Sequence, residues 1–189
     1  MHPAVEQLAQ VLGPPEREPS RVPWELSTEE VGLTFPSDYR DFINLYGSVE
    51  INGELSVWSP AMRPSEPGAP GGLAGFVWNT TREGGIGDYL ASAYEEGDYR
   101  ECPYPVYPAP GGLLIWANNF NADHCFWLTE GADPDKWPIV VWYRQLAEWD
   151  RFNGGVAEFL LSVVTGAYSL ADELAPATPG VALYRQQDG

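Results

Sequence analysis

The segment Val49-Glu50-Ile51-Asn52-Gly53-Glu54-Leu55-Ser56-Val57 constrains the fold more tightly than any other stretch of the chain. Apolar and polar residues alternate on both sides of Asn-Gly. In a strand, successive side chains point to opposite faces, so each arm has one face to bury. Asn-Gly supplies the two left-handed residues that a tight hairpin turn demands. A hairpin of this kind is not stable alone; it needs neighbouring strands and a layer to cover its apolar face.

The rest of the chain offers both. Apolar runs from Leu113 to Trp116, Cys125 to Leu128 and Ile139 to Tyr143, separated by turn-forming clusters at Asn118 to Asp123 and Gly131 to Asp135, predict three successive strands. Gly75 to Asn79 predicts another. Pro103, Pro105, Pro108 and Pro110 impose an extended, edge-like stretch, because proline cannot donate to a ladder. Helical spacing appears four times. Val5, Leu8, Val11 and Leu12 form one stripe, stopped by Gly13-Pro14-Pro15. Tyr39, Phe42, Ile43 and Tyr46 form a second between Pro36 and Gly47. Tyr89 to Glu96 predicts a short helix closed by Gly97. Val156, Phe159, Leu160, Val163 and Val164 share a face in a last helix, with Asn153 as its cap and Gly166 as its end.

Strands and helices do not alternate regularly, so the expected fold class is α+β, a mixed or antiparallel sheet flanked by helices. Residues 1–23 read as a helix and a Pro-rich, solvated linker, 24–168 as the domain, and 169–189 as a tail with little to hold it. Residues 59–74 read as a Pro/Gly-rich loop.

At 44% hydrophobic and 13% aromatic, the chain has ample material for a packed core. Its 10 Lys and Arg against 27 Asp and Glu give a net charge of -17, which disfavours nucleic acid and anionic lipid and favours basic surfaces, although solubility alone accounts for many acidic proteins. No apolar run reaches the roughly 18 residues of a membrane span, and the N-terminus lacks a basic segment followed by an apolar one. Cys102 and Cys125 are too few for a disulfide framework. The simplest expectation is a cytoplasmic protein.

Catalytic groups are sparse. His124-Cys125 is the tempting pair, but on a strand the two side chains face opposite ways and cannot form a dyad. No Gly-x-Ser-x-Gly elbow accompanies His124, and no Cys-x-x-Cys or His-x-x-x-His spacing suggests zinc. Asn119, Asn121, Asp123 and Glu130 fall at positions 1, 3, 5 and 12 of a calcium loop. His124, however, occupies the glycine position, and a strand begins where the loop should still curl, so a polar turn is the better reading. Gly84-Gly85-Ile86-Gly87 lacks the Gly-Lys-Ser/Thr ending of a phosphate loop and precedes Asp88; it reads as a turn. No metal or other cofactor is expected, and no small-molecule substrate.

Leu33-Thr34-Phe35-Pro36-Ser37-Asp38-Tyr39-Arg40-Asp41-Phe42-Ile43-Asn44-Leu45-Tyr46-Gly47 resembles the opening helix of the SUKH superfamily, which includes the SMI/KNR-like domain, and the hairpin follows where that family has one. Ala122 to Leu128, Pro138 to Trp142 and Phe152 to Thr165 are similar to its later strands and closing helix, with Ala122 where glycine is usual. The resemblance spans about residues 24–166; the 59–74 insert and the tail depart from it. It implies a SUKH-like α+β domain without a catalytic site, which binds a protein: in bacterial members a cognate toxin, often a nuclease or deaminase, and in a fungal branch a regulatory scaffold for cell-wall synthesis. The acidic charge agrees with a basic, nucleic-acid-targeting toxin as partner. Charge density places the partner-binding residues at Glu95, Glu96, Asp98 and Glu101, with Asp133 and Asp135 behind them.

Overall fold

The structure, a computed structural model, describes residues 1–64, 66–98 and 100–187. Strands β1 (Val49–Ile51) and β2 (Leu55–Val57) form the expected hairpin, with Val49 opposite Val57 and Ile51 opposite Leu55. Asn52 and Gly53 both take positive φ, 53° and 73°, as the tight turn requires. β2 pairs with β3 (Leu113–Asn119), and β4 (His124–Leu128), β5 (Ile139–Tyr143) and β6 (Glu148–Phe152) follow in order. On the other side of β1 lies β7 (Tyr184–Gln186). The seven-stranded sheet, ordered β6-β5-β4-β3-β2-β1-β7, is antiparallel throughout. The three apolar runs are thus β3, β4 and β5. β6 escapes the apolar pattern because it is an edge strand, carrying the charges of Glu148, Asp150 and Arg151.

The pleat sorts side chains into two cores. Cys125 and Trp127 of β4 join Ile139, Val141 and Tyr143 of β5 on one face. Phe126, Leu128, Val140 and Trp142 join on the other. The register Cys125↔Val141 and Phe126↔Val140 keeps like beside like. A bulge between Ile115 and Ala117 of β3 keeps Trp116 and Ala117 both on the first face.

Helices α1 (Pro3–Leu12), α2 (Ser27–Val31), α3 (Ser37–Tyr46) and α4 (Gly72–Thr81) precede α5 (Ile86–Glu95), α6 (Val156–Val164) and α7 (Ala171–Leu174). The first face lies under α1, α3, α6 and α7, where Phe42, Ile43, Phe159 and Leu160 are fully buried, with Leu73 and Phe76 of α4 joining the same core. Tyr39 of α3 meets Trp127 edge-on at 4.8 Å. The second face is covered by α5 and the Pro-rich segment, through Leu90, Cys102 and Val106. The expected extended stretch is shorter than its prolines suggest: Val106 alone bridges Leu113, in parallel, and residues 107–111, with Pro108 and Pro110, form turns.

Helix α6 begins after Gly155 rather than at an Asn153 cap. Asn153 instead accepts from Arg151 Nε, and the Asp38 carboxylate of α3 accepts from Ala157 N at 2.8 Å. A Cβ on Gly155 would lie 2.3 Å from Asp38 Oδ2, so glycine leaves room for a cap supplied from another helix. Burial pushes the Asp38 carboxyl above its ordinary value, against the pull of the N–H groups of Ala157 and Tyr39.

Gly75 to Asn79, expected as a strand, is part of α4. A short apolar run fits either element by pattern alone; tertiary packing decides it here. Gly75 sits so close to Pro70 that a Cβ would lie 2.2 Å from its carbonyl oxygen. Thr80 accepts from Ile115 N at 3.1 Å, on the stretch of β3 that the short β2 does not reach.

The stretch from Ala171 onward, expected to have little to hold it, is anchored at several points. Asn52 donates to the Ala175 carbonyl and Asn119 to that of Leu174. Gln186 donates to the Tyr46 carbonyl and accepts from Arg17 N, so it also ties down the mostly exposed segment 14–23.

Candidate functional site: an aromatic groove on the second face

The second face leaves a groove of about 540 Å³ between the start of α5 and the β5–β6 turn. Its floor follows from strand register. His124 and Trp142 are cross-strand partners and stack at 6.1 Å; Trp142 and Trp149 are the next pair and stack at 6.0 Å. Tyr89 of α5 stands over Trp142 at 6.3 Å and is 51% exposed.

Glu101 forms one wall and is fixed at three atoms. The Tyr89 hydroxyl donates to its Oε1 at 2.8 Å, the Trp149 indole donates to its carbonyl at 2.9 Å, and its N–H reaches Asp98 Oδ1 at 3.3 Å. Among the described residues its second carboxylate oxygen accepts no hydrogen bond. Arg144 lies on the opposite rim. Its backbone N–H donates to Asp123 Oδ1 at 2.8 Å, while its guanidinium has no carboxylate partner among the described residues. Burial, with a smaller push from Arg144, lowers the His124 pKa to about 4, so the ring is neutral at ordinary pH.

The other motifs have structural employment. Cys125 points away from His124 into the first core, where burial pushes its thiol up. Asn119 and Asp123 close a turn on each other, with both bonds at 2.9 Å, and Glu130 pairs with Arg151 at 2.5 Å. A Cβ on Gly87 would lie 1.8 Å from the Thr80 carbonyl oxygen, so the glycine-rich turn allows α4 and α5 to pack closely.

Of the six acidic residues singled out by charge density, Glu101 alone lines the groove. Glu95 and Glu96 are exposed at the far end of α5, and Asp98 is exposed on the return toward Glu101. Asp133 and Asp135 are not brought to this group. Asp133 accepts from Lys136 and from Asp135 N, which holds its carboxyl below the usual range. Asp135 accepts from Ser37 N at 2.5 Å, at the start of α3 under the first face. Sequence reasoning missed Tyr89, Trp142 and Arg144. The signal for Trp142 was present: period-two alternation places it on the face of His124 once the β4–β5 register is known.

The structure is an α+β domain with a groove lined by Tyr89, His124, Trp142, Glu101 and Arg144. A family model described as SUKH_6, SMI1-KNR4 cell-wall, matches residues 28–159, and the chain belongs to this family. No curated protein and no solved structure matches the chain. Among the described residues, no helix is long and apolar enough to cross a membrane.

Proposed function

We propose that the chain is a non-catalytic protein-binding domain, an immunity protein that neutralises a basic, nucleic-acid-targeting toxin in the cytoplasm. The observation that carries this reading is the SUKH family match, joined to a net charge of -17. The family description, SMI1-KNR4 cell-wall, favours a second reading, a regulatory scaffold without a toxin. Co-expression with the product of an adjacent toxin-like gene separates the two. Under the first reading the chain binds that product and cells survive. Raising salt above ~0.15 M, where charges are screened beyond ~8 Å, slows association while changing dissociation much less. Failure to bind any such product, with the chain folded, moves the assignment to the scaffold.

A further inference from the structure

Three features of the groove converge on one kind of occupant. His124 and Trp142 stack in the floor, and Tyr89 above them, 51% exposed, offers an open ring face to a planar cation. The Glu101 wall is a carboxylate held in place before anything binds, with one oxygen open, so little ordering remains to be done on binding. Glu101 and Arg144 are the charged residues lining the groove, and the chain around it is acidic: Glu83, Asp88, Glu95, Glu96, Asp98 and Glu101 stand against Arg82 and Arg100 in residues 82–101. The neutral His124 in the floor adds no opposing charge.

We propose that this groove is the socket for a single arginine side chain of a basic protein partner, its guanidinium laid against the exposed ring of Tyr89 and donating to the open oxygen of Glu101. The proposal rests on the protein-binding reading above and names its contact. Arginine fits better than lysine because a delocalised guanidinium stacks on rings and sheds water more readily than an ammonium. Arg144 on the opposite rim gives the groove polarity: the guanidinium end goes to the Glu101 wall, and the partner's backbone carbonyls face Arg144.

The test uses the full chain, labelled with ¹⁵N, and three probes: the N-acetyl amides of arginine, lysine and glutamate. The arginine probe should give saturable shifts of the Trp142 and Trp149 indole N–H signals, with lysine several-fold weaker and glutamate silent. Glu101→Gln should weaken the arginine probe at least about fivefold, since a charge-assisted hydrogen bond is replaced by a neutral one. Tyr89→Ala, at an exposed position, should do likewise with the melting temperature preserved, and Glu29→Gln should bind as wild type. Shifts that do not saturate, or that are equal for Glu101→Gln and wild type, overturn the socket. A toxin that binds wild type and Glu101→Gln equally removes the socket and leaves the protein-binding reading standing. Arginine binding without binding of any adjacent toxin keeps the socket and moves the assignment to the scaffold.

Discussion

One face of the sheet is roofed by α1, α3, α6 and α7, the other by α5 and a proline-rich strip. Under the first, Trp116 and Trp127 are fully enclosed, and both indole N–H groups are buried without a hydrogen-bond partner among the described residues. Under the second, Trp149 finds a polar partner in the Glu101 carbonyl and remains only half-buried. The aromatic residues of the first face are enclosed, and its tyrosines Tyr39, Tyr46, Tyr143 and Tyr168 turn their hydroxyls to partners within the fold. Those of the second both pack and form a surface. The second face therefore carries the half-buried and exposed rings, Trp149 and Tyr89, that border the groove.

The comparison is broken most directly by mutating both faces. Phe42→Ala removes a fully buried ring from the first core and should cost about 3–5 kcal/mol in chemical denaturation. Tyr89→Ala on the rim of the second face should cost no more than a surface change, within about 0.5 kcal/mol plus its single bond to Glu101. Equal losses at the two sites would show that the second face carries the fold as heavily as the first.

A smaller effect sharpens the account of the first face. Asp38 caps α6 from α3, and removing a cap costs about 0.5–2 kcal/mol, so Asp38→Ala should fall in that range. The pH dependence runs against the usual carboxylate pattern. The folded pKa of Asp38 is raised by burial, so the folded state favours the protonated group. The stability it contributes is full below the ordinary value of 3.8 and is lost as pH rises through the folded value. Asp38→Asn keeps an acceptor for Ala157 N and carries no charge. Its stability relative to wild type should therefore rise with pH across that acid window and then level off. A flat difference would mean that the cap is not desolvated.

The two faces were also unequally legible in the sequence. The hairpin, the three apolar strands, α3 and the buried stripe of α6 follow from periodicity, because they bury one face against a deep core. What escaped was set by tertiary contacts. β6 and β7 are edge strands whose polar residues hide the pattern. α4 buries Leu73 and Phe76 in the first core, and the cap of α6 comes from a residue 119 positions away. The groove needs the β4–β5–β6 register and the return of the chain from Asp98 to Glu101, neither of which is a local signal. Charge density reached Glu101 because its acidic neighbours are close in sequence, and for the same reason it gathered Asp133 and Asp135, which the fold uses elsewhere.

The smallest expected effect on stability tests how far the second face extends. Glu95 and Glu96 lie six and seven residues beyond Tyr89, about 9–10 Å along α5 at 1.5 Å per residue, so they are outside the groove but about a Debye length from it. Reversing both to Lys changes the net charge from -17 to -13, two units for each residue. Both are exposed, and Glu95 and Glu96 side chains make no ion pair among the described residues, so melting should be unchanged within the error of a surface substitution. Their contribution is to steering. Association with a basic partner should slow on the order of threefold at low salt, and the deficit should shrink as salt is added. Dissociation should hardly move, whereas Glu101→Gln should accelerate it, because a contact inside the groove is lost there. Protection of toxin-bearing cells should fall accordingly. Full protection by the folded double variant, with an unchanged association rate, would confine the second face's contribution to the groove itself.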